Sequence, residues 1–105
     1  MTQGDETLHA RVTSIQISPD KIEEATRITR DIIIPAAQRE KGFTGYMALG
    51  DRATGKSLSI TFWETAADLE ASGPGSEYYR EVMDRIAPLF TAPPLVDNLE
   101  VIVQV

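Results

Sequence analysis

Cysteine is absent from this chain. That excludes disulfides, thiolate nucleophiles and cysteine-ligated metals. Histidine, the usual base near neutral pH, occurs once, as His9. It sits beside a polar N-terminal stretch and reads as an exposed, uninvolved residue. One histidine with neither cysteine nor a carboxylate cluster makes a poor metal site, so no metal is expected. Basic charge is also scarce: 10 Lys and Arg stand against 16 Asp and Glu, for a formal net charge of -6. The basic residues form no run. A nucleic-acid backbone and an anionic membrane surface are therefore not expected partners, since both need clustered cations. No apolar stretch approaches the length of a membrane span. The opening residues MTQGDETLHA lack the positive start and apolar run of a signal peptide. A cytoplasmic protein is the expectation.

What is present is an ordinary globular balance. Hydrophobic residues make up 42% and charged residues 25%, which argues against disorder. The length, 105 residues, suits one domain. Met1 to Thr7 are polar and without periodicity, so a flexible tail over 1–7 and a single domain over 8–105 are expected.

The punctuation along the chain sets out the elements. Leu8 to Ile17, LHARVTSIQI, has strand composition. Ser18, Pro19 and Asp20 stop it and can start a helix. The helix stripe is Ile22, Ala25, Ile28, Ile32 and Ala36, at spacings of three and four. Pro35 lies within that pattern and predicts a kink or break near Ile34. Gly42 suits a left-handed stop. Strands follow over Phe43 to Leu49 and Ser57 to Trp63, joined by the turn residues DRATGK. That loop lacks the first glycine of a phosphate-binding loop and joins strand to strand, so it reads as a hairpin. Thr65 can cap a helix beginning AADLEAS. Gly73, Pro74 and Gly75 interrupt it before a second helix, SEYYREVMDRIAPLF. After a proline-rich connector, DNLEVIVQV reads as a last strand.

The order β-α-β-β-α-β predicts an α+β fold of the ferredoxin-like type, a four-stranded antiparallel sheet with helices on one face. In strand three Leu58, Ile60 and Phe62 oppose Ser59, Thr61 and Trp63. In strand two Phe43, Met47 and Leu49 oppose Thr44, Tyr46 and Ala48. Neither sheet face is properly polar, and two helices cover only one. The other face is expected to meet a second copy, making a homodimer.

The pattern GF-x-GY…DRATGKSLSITFWET, set between two helices, resembles the antibiotic-biosynthesis monooxygenase-like family of dimeric α/β barrels. The resemblance runs from about Ala10 to Val105. The family includes cofactor-independent monooxygenases that oxidise tricyclic phenols, haem-degrading enzymes, quinol monooxygenases and members of no known activity. What the resemblance implies is a pocket between helices and sheet, a small planar aromatic partner and no cofactor. In the phenol-oxidising relatives that pocket carries an asparagine, a tryptophan, a tyrosine and an arginine. Trp63 matches the tryptophan and Arg80 the arginine, so these two are the implied catalytic pair. The asparagine position falls on Ser59 and the tyrosine position on Leu69. The three positions that haem degradation needs fall near Thr13, Ser72 and Tyr78 or Tyr79, and all depart from the required residues.

Each candidate has an ordinary alternative. Trp63 can stack a planar substrate or fill core. Arg80 can hold developing negative charge or pair with Glu77, Glu81 or Asp84 on a helix surface. Adjacent Tyr78 and Tyr79 lie about 100° apart on a helix, so at most one should point fully inward. Tyr79 shares a face with Val82, Met83 and Ile86 and is the expected one. Ser59 has no nearby base to make it a nucleophile. Two functions follow: oxygen-dependent oxidation of a planar phenol or quinol, with Trp63, Ser59, Tyr79, Leu69 and Thr13 around the substrate, or a non-catalytic small-molecule-binding or accessory protein of the same fold.

Overall fold

The computed structural model describes residues 7–105. The tail expected over 1–7 therefore lies, apart from Thr7, outside the described residues. Four strands form one antiparallel sheet: β1 (His9–Gln16), β2 (Phe43–Gly50), β3 (Lys56–Trp63) and β4 (Leu95–Glu100). Their order across the sheet is β2-β3-β1-β4, so the strand nearest the N-terminus and the second hairpin strand lie in the middle. The helices α1 (Ile22–Ile28), α2 (Ile34–Gln38), α3 (Ala66–Ala71) and α4 (Glu77–Ile86) fill the connections. This is the expected α+β, ferredoxin-like arrangement. Among the described residues no helix is long and apolar enough to cross a membrane.

Local chemistry explains most boundaries. The Thr65 hydroxyl accepts from the backbone N–H of Asp68 at 2.9 Å, and Ser76 accepts from Tyr79 N–H at 3.0 Å, capping α3 and α4. Gly42 ends the first helical stretch at φ 85°. A side chain there would also run into Asp68, so the position asks for glycine twice.

Three details depart from the periodic reading. The expected break at Pro35 takes the form of a π-helical turn over Thr29–Ile33, joining α1 to α2. Proline has no N–H to give and its ring crowds the preceding turn, so a widened turn accommodates it. The wide turn advances the helix by one residue. Ile33, not Ile32, is buried, and Ala37 joins Ala36 in the core. A second slip occurs in β2. Phe43 pairs with Trp63 and Gly45 with Phe62, leaving Thr44 as an extra residue. This bulge moves Phe43 from the expected Met47 and Leu49 face to the helix side. There its ring meets Trp63 edge-on at 5.7 Å. Finally, β4 starts at Leu95 and ends at Glu100, whereas strand character was expected through Val105. Its ladder partner β1 begins at His9, opposite Glu100, and beyond that pair Val101 N–H donates to Leu8 O at 2.9 Å.

The core lies between sheet and helices in two clusters. One gathers Ala36, Ala37, Trp63, Leu69 and Tyr78. The other gathers Ile17, Ala25, Ile33 and Ile86.

Candidate functional site

A cavity of about 350 Å³ lies between the helix-facing side of the sheet and the helices. Its floor follows from strand register. Residues paired across an antiparallel ladder share a face, so Arg11, Thr61 and Tyr46 form one row, and Thr13, Ser59 and Ala48 the next. Its roof comes from the first helical stretch, through Ala25, Thr29 and Ile33, and from α4, through Tyr78, Tyr79, Val82 and Ile86. The π-helical turn supplies Thr29 and Ile33, so the same widening that accommodates Pro35 shapes one wall. At the rim Arg52 pairs with Glu23 at 3.0 Å, both side chains being exposed.

The polar groups inside are mostly hydroxyls. The hydroxyls of Tyr46 and Ser59 hydrogen-bond at 2.8 Å. Burial pushes the Tyr46 phenol above its ordinary pKa, against the opposing effect of its bonds to Ser59 and Thr29. Burial also pushes Tyr78 up to about 12, although nearby Arg11 works the other way. Both phenols therefore stay protonated near neutral pH and act as hydrogen-bonding groups rather than bases. Among the described residues no His, Asp or Glu lines the cavity. Among the described residues no group of three or more His, Cys, Asp or Glu could hold a metal.

Among the described residues the cation inside is Arg11, the third residue of β1 and only 5% exposed. Its Nη2 donates to the carbonyl of Leu69 and to Ser72 Oγ, the latter at 3.2 Å, at the C-terminal end of α3. Its guanidinium lies 5.8 Å from the Trp63 ring centre and 5.6 Å from that of Tyr79. Its Nε is buried and has no hydrogen-bond partner. Burial lowers the Arg11 pKa, the two neighbouring tyrosines opposing the effect, but a guanidinium remains charged in a protein.

The residues singled out from sequence separate into three groups. Thr13, Ser59 and Tyr79 line the cavity. Trp63 and Leu69 are buried behind it and do not line it. Trp63 is fully enclosed, its Nε1–H donating to Thr61 Oγ1 at 2.9 Å, with Phe43 and Tyr78 edge-on against it. Leu69 contributes the carbonyl that receives Arg11. Arg80 is exposed on α4 and is not a lining residue, because it occupies the face of the helix turned from the sheet. Of the tyrosine pair, Tyr78 is the buried member and Tyr79 the half-buried one, the reverse of the expectation, though both reach the cavity. The residue that sequence reasoning missed is Arg11. A polar residue alternating with Ala10 and Val12 looks solvent-facing; the available sign was that it shares a face with Thr13 and, through pairing, with the Trp63 side of β3.

Comparison with solved structures decides the fold. The chain superimposes on the ActVA-Orf6 monooxygenase of Streptomyces coelicolor, solved in complex with nanaomycin D, with a TM-score of 0.80 at 10% identity, over 95% of this chain and 92% of that one. It superimposes on a Bordetella bronchiseptica protein described as a candidate antibiotic biosynthesis monooxygenase with a TM-score of 0.76 at 18% identity, over 92% of this chain and 99% of that one. The chain has the antibiotic-biosynthesis monooxygenase fold. Within that fold, its sequence is 33% identical over 94 residues to the uncharacterized protein Rv2557 of Mycobacterium tuberculosis and 30% identical over 94 residues to Rv2558 of the same organism. Each alignment covers 90% of this chain, but the chain spans only 41% and 39% of those relatives' lengths. No protein-family model matches it.

Proposed function

We propose that the chain is a cofactor-independent monooxygenase acting on a planar phenol or quinol held in the sheet–helix cavity. The observation that carries this reading is a buried guanidinium in a largely apolar chamber, open at its rim, with a band of hydroxyls. Such a chamber suits a flat aromatic molecule, with apolar walls for the rings and Arg11 for a negative oxygen. The S. coelicolor structure of the same fold was solved with a bound ligand, nanaomycin D, which supports a ligand-binding use of the fold.

In this mechanism the substrate supplies the electrons. Its anion passes one electron to O₂, and the radical pair combines into a C–O–O⁻ peroxide. Protonation and loss of water leave a ketone at the attacked carbon. One oxygen atom enters the product and one leaves as water. Arg11 stabilises the anion, taking the role expected of Arg80. Ser59, Thr13 and Tyr79 orient the substrate. Trp63 and Leu69 act at one remove, by holding Arg11 and Thr61 in place. Oxygen uptake with an anthrone tests the reading: turnover is expected, with a loss of at least tenfold in Arg11→Gln. No uptake with any anthrone, phenol or quinol would sink the enzymatic assignment.

A second reading has its own support. No imidazole or carboxylate among the described wall residues stands ready to take a proton from a substrate, which suits a binding or accessory protein that holds an aromatic molecule without converting it. Saturable binding without oxygen uptake would favour it. We further propose that the open sheet face meets a second copy of the chain. Met47 and Leu49 are each 49% exposed there, Leu95 68% and Leu99 54%, a patch suited to burial in a homodimer.

A further inference from the structure

Arg11 carries a permanent charge away from water, and no carboxylate among the described residues pairs with it. The ion pairs formed among the described residues are Lys21 with Glu24 and Arg52 with Glu23. Neither involves Arg11. What surrounds the guanidinium is weaker: one carbonyl, one hydroxyl and two ring faces. Its buried Nε–H has no acceptor at all. A buried charge lacking a partner is costly, and a protein normally supplies a carboxylate beside it. The described residues of the cavity walls include none.

Nor is there a histidine among the described wall residues to accept a proton. A neutral phenol entering here would have to lose its proton to solvent. An acid that arrives already ionised has no such need. The number of cations limits the charge further. Within the chamber stands one guanidinium, and Arg52 at the rim is engaged with Glu23. One cation matches a monoanion, and the planar guanidinium edge matches a carboxylate.

We propose that the cavity's ligand brings its own negative charge: a planar aromatic acid whose carboxylate accepts from the Arg11 guanidinium, while the rings lie along Ile33, Val82 and Ile86. This rests on the cavity being a small-molecule site and gives Arg11 the ligand's carboxylate as its partner in place of a phenol-derived anion, as suits the binding reading, in which no proton has to be removed. The raised pKa values of Tyr46 and Tyr78 agree, since neither phenol adds a competing negative charge near neutral pH.

Isothermal titration calorimetry of the whole chain with 2-naphthoate, methyl 2-naphthoate and 2-naphthol tests this at neutral pH. The three probes share their rings and differ in charge. Naphthoate is expected to bind at least tenfold more tightly than its ester or the naphthol. The preference should vanish in Arg11→Gln while the ester's affinity stays within about threefold. The comparison on the unsubstituted chain needs no variant, so a poorly folded Arg11→Gln does not rescue the idea. Ester or naphthol binding as tightly as the acid would overturn the proposal and leave the enclosed-aromatic reading standing. An acid preference that survives in Arg11→Gln would overturn it too, by placing the anion elsewhere. No binding by any of the three at millimolar concentration would remove both.

Discussion

The two faces of the sheet are dressed in the opposite sense to that of an ordinary half-buried sheet. The side covered by helices carries Arg11, Thr13, Ser59, Thr61 and Tyr46. The side left open carries Met47, Leu49, Leu95 and Leu99, all well exposed. Usually the covered face is the apolar one. Here the covered face is polar where it borders a chamber and apolar only around it, at Trp63 and in the Ile33 and Ile86 cluster. Burying polar groups without filling the space between them stabilises the fold poorly. It does preserve a set of oriented hydrogen-bonding groups out of bulk water. The open face has the reverse character, with apolar area that gains only when something covers it. The first suits the small molecule proposed above, and the second suits the proposed second copy of the chain.

Substitutions can test that division, starting with the strongest. Trp63→Ala removes the most enclosed side chain on the covered face, together with its bond to Thr61 and its contact with Arg11. It should cost about 3–5 kcal/mol of stability in urea unfolding; a cost under about 1 kcal/mol would mean that Trp63 does not organise this side. On the open face, Leu99→Glu should weaken self-association at least about 100-fold, or about 3 kcal/mol, by placing charge in an apolar contact. Sedimentation velocity would read this as a shift to monomer with the fold intact, and an unchanged distribution would refute the proposed use of the face.

A subtler difference lies in alkaline behaviour. The folded Tyr78 pKa, about 12, stands above the ordinary value of 10.0. Between these two values the unfolded chain releases the proton and the folded chain keeps it. The resulting stabilisation is complete below pH 10.0 and is lost as pH rises towards 12. Tyr78→Phe should therefore show a shallower loss of stability across that window, measured by denaturant midpoint against pH. The smallest effect belongs to Arg80→Ala, which lies on neither face. It should alter stability by no more than about 0.5 kcal/mol and leave aromatic binding unchanged; a tenfold loss of binding would restore the role expected from the family resemblance.

Much of the architecture was legible because it is written in local punctuation. Pro19, Gly42, the DRATGK hairpin and the caps at Thr65 and Ser76 each act within a few residues. The features that escaped are those in which one residue is inserted. Pro35 marks a disturbance, but a sequence pattern does not say that the helix responds with a wide turn, and so Ile32 looked like core where Ile33 is. Nor does a run of strand residues show that Thr44 is surplus, and so Phe43 looked exposed to the other face. The candidate site was half legible. Thr13, Ser59 and Tyr79 line the chamber, each on an inward face. Arg11 escaped because a lone arginine in a strand resembles a solvent-facing residue until the register sets it across from Thr61 and under α3. Trp63 was visible as important, but its burial depends on Phe43 and Tyr78 closing over it from two separate elements.

The enclosure of Trp63 gives the molecule a built-in optical reporter. The chain's only indole is sealed from solvent, so its emission should be blue-shifted and resistant to quenching by aqueous iodide while the chain is folded. A ligand cannot stack on it directly, yet the Arg11 charge stands over its ring. Neutralising that charge changes the electric field across the indole, so occupancy of the chamber should register as a shift in emission colour rather than as contact quenching.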